Sequence, residues 1–217
     1  MQSFPLKIKD QQFHLHPSGA LYWEERKALL VADVHLGKVT HFRKHGSAVP
    51  LKALQQNFEK LEGAIQYFNP TELLFLGDLF HSFENTEWDW FVHWKLQHRR
   101  DMVLISGNHD IIDTHKYESV GVSVVETMEI SGFLLSHHPT LSETLFNFSG
   151  HIHPGVSLHG LGRQRVKTAC FFWSGNQFIL PAFGVFTGKY VMQPKKGDRV
   201  FAVTPSEVIE VSGFFTS

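Results

Sequence analysis

Five short apolar runs in this chain each end in a side chain able to bind a metal ion. Leu73–Leu76 is followed by Gly77-Asp78, Ala28–Ala32 by Asp33-Val34-His35, and Met102–Ile105 by Ser106-Gly107-Asn108-His109-Asp110. Phe133–Leu135 leads to Ser136-His137-His138, and Phe146–Ser149 to Gly150-His151-Ile152-His153. A short continuous apolar run beside a glycine reads as a strand buried on both faces. Open α/β sheets collect their chemistry at the carboxyl ends of such strands. A single carboxylate there would simply cap the next helix. An ordered set of five demands a fold that gathers five strand ends.

Asp33, His35, Asp78, Asn108, His137, His151 and His153 offer oxygen and nitrogen donors and no sulfur. That set is too large for one tetrahedral zinc and suits two neighbouring ions sharing a carboxylate. Asp-x-His and His-x-His are expected on extended backbone, which would turn both ligands of a pair to one side. Gly77, Gly107 and Gly150 would let the chain turn beside the cluster. Two divalent ions about 3.5–4 Å apart acidify a bridging water and clamp the oxygens of an in-line displacement at phosphorus. The expected reaction is attack of that hydroxide on phosphorus. His109 would protonate the leaving alkoxide or stabilise its charge.

The rest of the chain supplies the frame. Alternating segments over Phe4–Trp23 predict antiparallel strands leading into the first core strand. After Pro50, the spacing of Leu51, Leu54, Phe58, Leu61 and Ile65 predicts a helix over 51–68. A second helix is expected over 87–98, with Trp88, Trp90, Phe91 and Trp94 read as core. Beyond Asp110 come short strands without long helices, among them 122–125, 128–135, 146–149, 166–172, 177–180, 190–191 and 200–204. A βαβαβ half followed by a meander implies one α/β domain over 1–217, with two sheets face to face and helices outside.

His14 and His16, two apart on a strand, read as surface positions rather than a metal pair. The single Cys170 excludes a disulfide framework and a thiolate zinc cluster. A net charge of −1 argues against a strongly basic nucleic-acid binder. It leaves room for local basic strips, and two are present. One is the loop Lys38–His45, which carries Lys38 and Arg43; the other is Arg163, Arg165 and Lys167, which alternation places on one strand face. No signal-peptide pattern or membrane-length apolar run is found, so a cytoplasmic protein without membrane contact is expected.

Taken in order, Asp33-x-His35, Gly77-Asp78, Gly107-Asn108-His109-Asp110, His137 and Gly150-His151-x-His153 resemble the five motifs of the calcineurin-like metallophosphoesterases. The resemblance implies a four-layer α/β/β/α sandwich with two mixed sheets. It also implies one metal held by Asp33, His35, Asp78 and His153, and a second held by Asp78, Asn108, His137 and His151, with Asp78 bridging. His109 would be the catalytic histidine, oriented by Asp110. The fourth motif contains two adjacent histidines. His137 is preferred because it directly follows the Leu134-Leu135-Ser136 run, and His138 stays open.

The segment Asp33–Pro50 and the late LPAFGVFTGKY are similar to a narrower bacterial group, the ligase-associated DNA damage response endonucleases. That likeness implies a phosphodiester substrate such as DNA, and partner proteins of DNA repair such as a ligase or helicase. The implied cofactors are two divalent ions, manganese first, with iron or zinc as alternatives. Lys38 and Arg43 would contact the substrate. A small-nucleotide phosphatase or pyrophosphohydrolase is the competing activity, and a non-catalytic scaffold a third possibility.

Overall fold

An antiparallel meander opens the chain: β1 (Phe4–Ile8), β2 (Gln11–Leu15), β3 (Leu21–Trp23) and β4 (Ala28–Val31). Parallel strands β5 (Glu72–Leu76), β6 (Asp101–Ile105) and β7 (Ser123–Val125) then add in sequence. Helices α1 (Lys52–Phe68), α2 (Thr86–Gln97) and α3 (Thr114–Ser119) lie between the parallel strands, as crossover geometry requires. The computed structural model describes residues 1–38, 40, 52–82, 84, 86–159 and 164–215. Arg43 and its neighbours His41, Lys44 and His45, like Pro50, Leu51 and Arg163, lie outside the described residues.

The second sheet contains β8 (Thr127–Ile130), β9 (Phe133–Ser136), β10 (Phe146–Ser149), β11 (Pro154–His159), β12 (Arg165–Ser174) and β13 (Gln177–Ile179). β14 (Tyr190–Val191), β15 (Arg199–Val203) and β16 (Val208–Glu210) complete it. β9, β10 and β13 run parallel at its centre, and the other pairings are antiparallel except β11 with β14. Both sheets are therefore mixed.

Three apolar layers hold this arrangement. Between the sheets, Phe13, Leu15, Trp23, Leu30 and Leu74 meet Phe133, Phe148, Phe171, Phe178 and Phe201. On the outer face of the first sheet, Leu61, Ala64 and Ile65 of α1 and Trp88, Phe91 and Trp94 of α2 cover Val31, Leu73 and Phe75. Trp88, Phe91 and Trp94 are thus core as expected, whereas Trp90, also expected there, is only partly buried. On the outer face of the second sheet, Cys170, Phe172 and Val200 are covered by Val211 and Phe215, from a 3-10 turn over Ser212–Phe215 and its approach. The expected α/β/β/α order holds, with the fourth layer thin among the described residues. None of the described helices is long and apolar enough to cross a membrane.

Two local expectations need correction. Residues 128–135 are not one strand but the hairpin β8–β9, closed by Ser131 and Gly132 at φ 51° and 80°. Two consecutive positive φ values are what a type I′ turn requires, and the Ser-Gly pair was its signal. β11, which starts at Pro154 directly after the last histidine motif, and β16 were not anticipated from pattern.

His14 and His16 were both expected at the surface, and His16 departs from that because it is buried under aromatic rings. His14 Nε2 lies 2.8 Å from Glu24, whereas His16 is buried with Nδ1 on the Ser18 hydroxyl and its ring against Tyr67 and Phe68. Burial, and then the N-terminal amine and Lys60, pull the His16 pKa from 6.5 down to about 4. The folded chain therefore binds one proton fewer than the unfolded chain between pH about 6.5 and 4. Stability is full above that window and falls on acidification, by about 3 kcal/mol once pH 4 is reached. Urea titrations at pH 7 and 5 should show a smaller acid loss in His16→Gln than in the parent; an unchanged loss would assign acid lability elsewhere.

Candidate metal centre

The carboxyl ends of β4, β5 and β6 from one sheet and β9 and β10 from the other converge at one end of the sandwich. Short links bind the two sheets there. Ala32 bridges Ala182 in parallel, Phe183 N–H donates to the Ala32 carbonyl at 2.8 Å, and Gly184 N–H to the Asp33 carbonyl at 3.0 Å. Asn57 of α1, only 5% exposed, donates to the Val34 carbonyl and accepts from Val185 N–H. One helix side chain thus positions both the first ligand loop and the late LPAFG segment. Sequence pattern missed it, since a lone asparagine on a helix carries no signal.

All seven candidate ligands come together, but not on extended backbone. Asp33, His35, Asp78, His151 and His153 have φ of 54°, 51°, 51°, 66° and 53°. This corrects the expectation from alternation. Left-handed backbone costs a non-glycine residue about 1–2 kcal/mol, and Asp and His are among the types that tolerate it. Five such residues in one cluster are strain concentrated where five strand ends turn sharply inward.

Asp33 is fully buried. Its carboxylate accepts from His151 N–H at 2.9 Å and faces His153 Nε2 at 3.2 Å. His153 Nε2 in turn lies 3.3 Å from His35 Nε2. Opposite stands a second set. His137 Nδ1–H donates to the Leu76 carbonyl at 3.1 Å, which fixes the tautomer and frees the Nε2 lone pair. That Nε2 is 3.1 Å from both Asn108 Oδ1 and His151 Nδ1. Asp78 sits between the sets, Oδ2 3.8 Å from His35 Nε2 and Oδ1 3.5 Å from His137 Nε2. His137 is 2% exposed, while His138 is exposed and stacks outside His151 at 4.0 Å.

The electrostatics match a cation site. Asp33 and Asp78 are 0% and 2% exposed, and among the described residues their ion-pair contacts are only to histidines. Burial first, then Lys38 and the neighbouring imidazoles, hold His35 neutral, its pKa pulled down to about 2. Burial also lowers the His151 pKa. Two buried carboxylates beside a neutral His35, with the half-buried Lys38 as nearby cation, leave negative charge that a metal cation would offset. Three groups with donor atoms within 4.8 Å of one another result: Asp33-His35-His153, Asp33-Asp78-His137 and His137-His138-His151.

Three glycines are required by these approaches. A Cβ on Gly77 would lie 2.2 Å from His137 Nδ1, one on Gly107 2.3 Å from Asp78 Oδ1, and one on Gly150 2.5 Å from Asp33 Oδ2.

His109 stands at the edge of the cluster, its N–H donated to Asp78 Oδ1 at 2.9 Å. Its ring stacks on His81 at 5.0 Å and meets His35 edge-on at 5.5 Å. His81 was not singled out from sequence, although it closes the same stretch as Asp78; only packing shows that it supports the His109 ring. Asp110 departs from expectation. Its Oδ1 accepts from Phe80 N–H at 3.1 Å and its Oδ2 from Gly107 N–H at 2.9 Å. It ties the loops after β5 and β6 together and so fixes the His109 backbone rather than its ring; burial pushes its carboxyl up to about 6. Lys38 is half-buried near the cluster, where Asp78 and Asp33 favour its charge against the larger effect of burial.

Comparison with known proteins follows the same lines. The family model described as calcineurin-like phosphoesterase matches residues 26–170. Among solved structures, the crystal structure of Pseudomonas putida nuclease MPE superposes with a TM-score of 0.78 at 27% sequence identity. That alignment covers 97% of this chain and 100% of the nuclease. No curated protein matches significantly in sequence.

Proposed function

The chain belongs to the calcineurin-like phosphoesterases and is a metal-dependent phosphoesterase, and from that premise we propose that it hydrolyses phosphodiester bonds in nucleic acid. The observation that carries the proposal is the Asp78 carboxylate, buried between two donor sets with one oxygen toward each. Asp33, His35, His153 and Asp78 would hold one divalent ion, and Asp78, Asn108, His137 and His151 the other. Manganese suits such nitrogen-and-oxygen donors, as do iron and zinc. When bound, the ions supply Lewis acidity to phosphoryl oxygens and lower the pKa of water.

The chain's own residues do the rest. Asp78 offsets the repulsion between two cations and, through His109 N–H, fixes where the His109 backbone stands. The His109 imidazole, backed by His81, donates a proton to the departing alkoxide. Asp110 holds that loop against Phe80. Lys38 near the cluster, and Arg43 beyond the described residues, attract the anionic backbone. The likeness to a nuclease supports nucleic acid as substrate. The resemblance of the first loop and the late LPAFG segment to ligase-associated endonucleases supports work beside repair enzymes such as a ligase or helicase. A lone buried thiol, Cys170, suits a reducing cytoplasm.

The test is manganese-dependent hydrolysis of a chromogenic phosphodiester beside the matching monoester. The diester is expected to be preferred, and His109→Ala to lower turnover about 10²–10⁴-fold with metal content retained. A monoester preference would assign a small-molecule phosphatase instead. Equal loss of metal and turnover would remove His109 from proton transfer.

A further inference from the structure

We propose that the cavity beside His153, between Lys60 and Lys189, is a second phosphate subsite that continues as a basic track over Lys167 and Arg165. The substrate is then a polynucleotide long enough to fill that track rather than a dinucleotide or mononucleotide. This rests on the phosphodiesterase reading above and adds where the flanking chain lies.

A cavity of about 180 Å³ opens next to His153 and is lined by Lys60, Ala169, Gly184, Thr187 and Lys189 among others. Lys60 is held in place, whereas Lys189 is exposed and packs only its stem. Lys60 donates to the Phe183 carbonyl at 2.6 Å and lies 4.3 Å over the Phe183 ring, leaving two N–H donors. The Lys189 stem crosses Gly155, where an added Cβ would be 3.0 Å from Lys189 Cβ. Neither lysine is within ion-pair distance of a carboxylate among the described residues. Burial, and then Lys189, lower the Lys60 pKa to about 8. Two cations facing one cavity without an anion between them favour an anionic guest.

The track follows from strand geometry. β11 and β12 pair with Gly155 opposite Ala169 and Ser157 opposite Lys167. The Ala169 side chain lines the cavity, and the Gly155 Cβ position faces the Lys189 stem. Side chains two apart share a face, so Lys167 and Arg165, both exposed, extend from the cavity along that face. Each step is about 7 Å, comparable with the separation of successive phosphates in an extended strand.

Kinetics of the manganese enzyme on the chromogenic diester and on oligothymidylates of two to eight nucleotides test this. For the parent, KM should fall as length increases until the track is filled. Lys189→Gln should raise KM for the octamer about tenfold more than it affects the diester. Lys167→Gln combined with Arg165→Gln should reduce the slope of log KM against log salt on the octamer by about 1.4, two single-strand contacts. Lys60→Gln repeats the first comparison from the other wall, so misfolding of one variant leaves the other.

Equal effects on diester and octamer, or a salt slope that does not change, would overturn the subsite. So would KM independent of length, which would mean that a mononucleotide fills the cavity. Absence of diester hydrolysis in the parent would instead defeat the underlying phosphodiesterase reading.

Discussion

Asp78→Asn should abolish metal-dependent hydrolysis while leaving the fold intact. Asparagine keeps the shape of aspartate and tolerates the left-handed backbone at φ 51°. Its carbonyl still accepts the His109 N–H that now goes to Asp78 Oδ1. What is lost is one negative charge and one acceptor oxygen between His35 and His137. Metal ions contribute several kcal/mol of transition-state stabilisation, and losing about 4 kcal/mol lowers kcat about a thousandfold. Metal analysis should find the bound divalent metal strongly reduced. Without metal, the variant should melt no lower than the parent, because two buried carboxylates have become one. A metal-free melting temperature several degrees lower would make Asp78 a structural residue first.

Gly77→Ala should fail differently. At φ 80° an alanine costs about 1–2 kcal/mol, and its Cβ would occupy space within 2.2–2.7 Å of the His137 ring. His137 must leave, which breaks its hydrogen bond to the Leu76 carbonyl. Together these amount to about 3 kcal/mol, or roughly 10 °C in melting temperature. Affinity for the ion that His137 would ligate should fall by at least about 10–100-fold, the effect of losing only an orienting partner. Gly63→Ala in α1, where nothing lies within 4 Å, is the control and should gain up to about 1 kcal/mol. If Gly77→Ala binds two ions with parental affinity, the His137 contact does not govern the site.

Some of this was legible from the residues alone because it depends on local pattern. The apolar runs at Leu73–Leu76 and Met102–Ile105, short and bounded by glycine or a polar residue, read as buried strands, and the strand-to-helix crossovers between them follow from chirality. The ligand set was legible because each donor directly follows such a run. The hairpin at Ser131-Gly132 was overlooked, although its turn residues were visible. Strand β11 was missed since Pro154-Gly155 reads as a breaker.

The chain's sequence by itself determined which atoms are available: nitrogen and oxygen donors, no thiolate, and glycines beside three of them. It also determined that those donors end buried strands. Only the tertiary structure decided how they meet. The left-handed turns at Asp33, His35, Asp78, His151 and His153 replace the extended geometry that alternation implies, because five strand ends from two sheets must point inward at one place. It alone turned Asp110 to the backbone of Phe80 and Gly107, and brought His81 under His109. Likewise, Asn57 joins the loops at Val34 and Val185, the second of them 128 residues from it along the chain. Such contacts join residues distant in the chain, and no local pattern encodes a distance that only packing two sheets can set.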